Sequence, residues 1–71
     1  MKDLSRDKRK LAYDAAIFAA FADIETVDVE TKARLRGNAA YKLALARGSS
    51  LEVAEREGRA IYASEGGKDY L

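Results

Sequence analysis

Ala33–Tyr41 reads ARLRGNAAY, and Ala54–Tyr62 reads AEREGRAIY. Both follow the pattern A-x-x-x-G-x-A-x-Y, offset by 21 residues. The likeness is too short to define a repeat, and its value is geometric. A glycine inside a helix costs about 1 kcal/mol relative to alanine, so two at matched positions ask for a compensating contact. If the chain reverses near Gly48, an antiparallel hairpin sets side by side residues whose numbers sum to about 95, and Gly37 meets Gly58. By the same count Tyr41 lies against Ala54 and Tyr62 against Ala33, a large ring on a small residue each time. Ala33, Gly37, Ala40 and Ala44 recur at helical spacing, as do Leu51, Ala54, Gly58 and Ile61. Stripes of small residues let helix axes approach closer than the usual ~8–10 Å. A tight αα-hairpin crossing at the two glycines is expected; the alternative is that Gly37-Asn38 breaks the first of these helices in two.

Signals flanking the seam place the helix ends. Asp28 is a good N-cap for a helix beginning at Val29, and Gly48 is the left-handed residue that stops it after Arg47. Ser49 with Glu52 three residues later is a capping-box signature for a last helix over about 50–64, which Gly66-Gly67 ends. Glu52 with Arg56 and Glu55 with Arg59 have the favourable i, i+4 order and mark its solvent face. The tail over 65–71 is loose, although Tyr70 and Leu71 could fold back on the core. Upstream, a first helix over about 5–25, capped by Asp3 or Ser5, is expected. Residues Glu25 to Asp28 connect it to the next, with β-branched Thr26 and Val27 weakening helix there. No stretch alternates with period two, and Pro is absent. The fold class is all-α: a three-helix bundle, helix 1 packed along an antiparallel αα-hairpin of helices 2 and 3, in one domain spanning 1–71.

The first helix carries more apolar surface than such a hairpin can cover. Leu11 to Ile24 reads LAYDAAIFAAFADI. At roughly 100° per residue, Leu11, Ala15, Phe18 and Ala22 line one side. Tyr13, Ile17, Ala20 and Ile24 line nearly the opposite side, with Phe21 flanking. A helix apolar almost all round is buried all round, and a chain of this length buries only about 60% of its extended surface. The excess face is expected to be an interface, and two-fold self-pairing through helix 1 is the simplest way to cover it. Asp14 borders the apolar face. It either reaches water or an Arg on a neighbouring helix, or serves as a buried charge that fixes a partner's orientation.

Composition excludes several function classes. There is no Cys and no His, so disulfide frameworks, zinc ribbons and the commonest general base are missing. The Ser residues fall at Ser5, at the helix start Ser49-Ser50 and at the helix end Ser64, with no Lys placed beside them as a base. Asp14 and Asp23 lie nine residues apart on one helix, on nearly opposite sides. No phosphate-cradling glycine loop occurs. No enzyme, catalytic residue, metal or cofactor is expected. The basic opening, apolar run and Ala20-Phe21-Ala22 resemble a signal peptide, but Asp3, Asp7 and Asp14 argue against one. The run is also short of the ~20 residues a membrane span needs. A cytoplasmic protein without membrane contact is expected.

Lys and Arg number 13 against 12 Asp and Glu, which leaves no global pull toward nucleic acid. The charges come in blocks, however: residues 31–48 carry five basic side chains and no acidic one, while Asp14–Glu30 is purely acidic. Blocks of this kind suit helices that attract one another, or a patterned binding face. Ala44 to Gly48 resembles the A-x-x-x-G turn of helix-turn-helix proteins. The following positions depart from that pattern at Ser49 and Ala54, and Glu52, Glu55 and Glu57 would face phosphates that repel them. The expected function is therefore a small non-enzymatic interaction protein, an adaptor or inhibitor of the phage or mobile-element type, acting by protein–protein binding as a homodimer. Its contact residues are Tyr13, Ile17, Phe21 and Ile24, with Lys8, Arg9 and Lys10 at the edge. The alternative is a nucleic-acid-associated regulator using Thr31, Arg34, Asn38 and Lys42 on the basic face of helix 2.

Overall fold

The computed structural model describes residues 8–68. These form three helices: α1 (Lys8–Ala22), α2 (Val29–Ala46) and α3 (Leu51–Ser64). The molecule is a three-helix bundle in which α1 lies along the antiparallel α2–α3 hairpin, mostly on its α2 side. No helix of the described residues is long and apolar enough to cross a membrane. The proposed caps Asp3 and Ser5, and Tyr70 and Leu71 of the tail, lie outside the described residues.

Local chemistry accounts for most of the boundaries. The Asp28 carboxylate accepts from the Thr31 backbone N–H at 2.7 Å and so satisfies one of the orphan donors at the start of α2. That hydrogen bond, reinforced by the Thr31 hydroxyl and more weakly by Arg34, holds the Asp28 carboxyl below its ordinary value. At the far end Gly48 has φ +96°. The N–H of Ser49 donates to the carbonyl of Ala44 at 3.0 Å, and that of Gly48 to Leu45 at 3.0 Å, which is the Schellman closure. Helix α3 ends the same way: Gly66 at φ +94°, with Gly67 donating to Tyr62 at 2.9 Å and Gly66 to Ala63 at 3.1 Å.

Two expected boundaries are corrected. Helix α1 stops at Ala22 rather than near residue 25. The chain there tightens into i→i−3 hydrogen bonds, Asp23 to Ala20 and Ile24 to Phe21, where β-branched residues disfavour further helix and Arg36 draws the Asp23 carboxylate to 2.6 Å. The cap of α3 is Ser50, not Ser49: the Ser50 Oγ accepts from the Val53 N–H at 3.2 Å. Ser49 is committed to closing α2, so the box with Glu52 does not form, and Glu52 instead pairs with Arg56 at 3.8 Å.

The glycine crossing forms as expected, and α2 runs unbroken through Gly37-Asn38. A Cβ placed on Gly37 would sit 2.9 Å from the carbonyl oxygen of Gly58 and 3.2 Å from the Tyr62 Cβ. One on Gly58 would sit 3.0 Å from the carbonyl oxygen of Gly37 and 3.2 Å from the Tyr41 Cβ. The two glycines thus meet backbone to backbone, and each is flanked by the tyrosine of the opposite helix. The tyrosines sit beside the glycines, one turn from the expected alanine partners. On α3 the buried line is Ala54, Gly58 and Tyr62; Leu51 and Ile61, expected in the seam, are exposed. On α2 it is Ala33, Gly37 and Ala44, with Ala40 half-buried. Tyr62 is buried: a Cβ on Gly67 would lie 2.5 Å from its ring, and its phenolic oxygen accepts from Arg34.

Candidate interaction surface

Helix α2 is the middle element, and its charges show how its neighbours are placed. Gly37 and Tyr41 face α3. Lys42, roughly 140° around the helix from Gly37 at 100° per residue, reaches Asp14 of α1 at 3.7 Å. Helices α1 and α3 therefore flank α2 on nearly opposite sides, and α1 leaves α3 largely uncovered. Arg36, on the edge between them, contacts Asp23 after α1 at 2.6 Å and Glu65 after α3 at 3.5 Å. At the other end Arg47 meets Glu57 at 2.9 Å. The basic block of α2 is thus matched to the acidic blocks on either side of it.

This arrangement decides which face of α1 is outward. Leu11, Ala15 and Ala22 are buried against α2, with Phe18 half-buried beside them. On the opposite side Tyr13 is 66% exposed, Phe21 52% and Ile24 43%; Ala16 and Ala20 are also exposed, and Ile17 is half-buried. All four apolar candidates lie on this one outward side. Lys8, Arg9 and Lys10 are exposed near the start of α1; Lys10, 3.3 Å from Asp14, stands on the side of Ile17, whereas Lys8, nine residues from Ile17, stands on the opposite side at 100° per residue. Asp14 is a structural charge, held between Lys10 on its own helix and Lys42 on the next.

Three of the four residues considered for nucleic acid are engaged locally. Arg34 donates to Tyr62 and to Glu30, the latter at 2.9 Å; the hydrogen bond to Tyr62, then the Glu30 charge, raise its pKa above the ordinary value. Lys42 is held by Asp14. Thr31 closes the cap through its N–H, and Asn38 is exposed. Among the described residues no group of three or more acidic side chains is gathered as a metal cage.

A second set of exposed apolar residues escaped the sequence reading: Leu43 on α2 with Leu51, Val53 and Ile61 on α3. Periodicity put Leu51 and Ile61 in the seam with Ala54 and Gly58, but the contact with α2 does not cover them. They are open because α1 sits across α2 and not over the hairpin as a whole. The signal that could have shown this is the pairing of α2's cations with acidic residues on two different helices. No protein-family model matches the chain, and no curated protein or solved structure is significantly similar to it.

Proposed function

We propose that the chain is a small non-enzymatic interaction protein, an adaptor or inhibitor of the phage or mobile-element type, that acts by protein–protein binding as a homodimer. The observation that carries this reading is the outward stripe of α1: Tyr13, Phe21 and Ile24 stand exposed along one side with Ile17 among them, and a contiguous apolar patch rimmed by charge is the ordinary signature of an interface. The side of α2 that meets α1 covers only the Leu11, Ala15 and Ala22 side of that helix, so this stripe has no cover within the described residues.

Sedimentation equilibrium of the wild-type chain beside Ile17→Asp tests the reading. Self-association that rises with concentration and is lost in Ile17→Asp, with an unchanged helical circular-dichroism spectrum, is the expected result; a concentration-independent wild-type monomer overturns the homodimer. Capture of a cellular protein, its identification and its rebinding in purified form would then name the target. The nucleic-acid alternative gains nothing from the geometry, since Arg34 and Lys42 already face acidic or phenolic oxygens.

A further inference from the structure

We draw no further inference here: the strongest candidate, the exposed apolar flank formed by Leu43 on α2 with Leu51, Val53 and Ile61 on α3, is an unpartnered face, and nothing in the structure shows what covers it.

Discussion

The two sides of α2 are held by different physics. Toward α3 the contact is backbone on backbone, with Gly37 and Gly58 so close that neither has room for a methyl group without a shift. Toward α1 the contact is made by side chains: Leu11, Ala15 and Ala22 are buried, and the ion pairs Asp14–Lys42 and Asp23–Arg36 set the register. The first interface is specified by what is absent, a pair of Cβ atoms, and tolerates almost no change. The second is specified by complementary blocks of charge over an apolar strip, and tolerates partial loss. That contrast explains how so short a chain spends little surface on its hairpin and retains an unspent apolar face on α1.

The comparison can be broken most directly at the crossing. Gly58→Val should destabilise the fold by roughly 1–3 kcal/mol through overpacking, in spite of valine's better helix propensity than glycine; an unchanged midpoint in chemical denaturation would show that the backbones are not in contact. On the α1 side the largest electrostatic effect should come from Arg36→Met, which releases both Asp23 and Glu65, at about 0.5–1 kcal/mol. A double-mutant cycle with Asp23→Asn separates the α1 part from the α3 part. The smallest effect should be that of Leu51→Gln. Leu51 lies on the apolar side of α3 and is 57% exposed, so its replacement should change stability by less than about 0.5 kcal/mol. A loss comparable to that of Gly58→Val would mean that α3's outer flank is packed in solution.

Much of the hairpin was legible because its determinants are local or periodic. Matched glycines at equal spacing from matched tyrosines leave few ways to pair two helices, and Asp28 and Gly48 carry their stop and start chemistry in single residues. The Ser49/Ser50 ambiguity was not resolvable in this way: both hydroxyls suit an N-cap, and the choice fell to whichever backbone N–H the preceding Schellman closure had already taken. Lys42 read as part of a basic face and Arg36 only as part of a basic block, since sequence distance hides that their carboxylate partners stand on α1, after α1 and after α3. The candidate surface was legible as a set of residues, Tyr13, Ile17, Phe21 and Ile24, but not as a surface. Its opposite side, with Leu11 and Phe18, is equally apolar, and hydrophobic periodicity has no sign.

By itself the sequence determined the helical class, the number of helices and the closeness of the second to the third, because glycine, alanine and capping residues act over one or two turns and need no distant partner. The tertiary structure alone decided that α1 packs on the side of α2 away from α3, that Leu11, Ala15 and Ala22 face inward, and that the tyrosine side faces out. Those choices bring Asp14 to Lys42 and Asp23 to Arg36 across the fold, and an ion pair between separate elements leaves no periodic trace in the chain that encodes it.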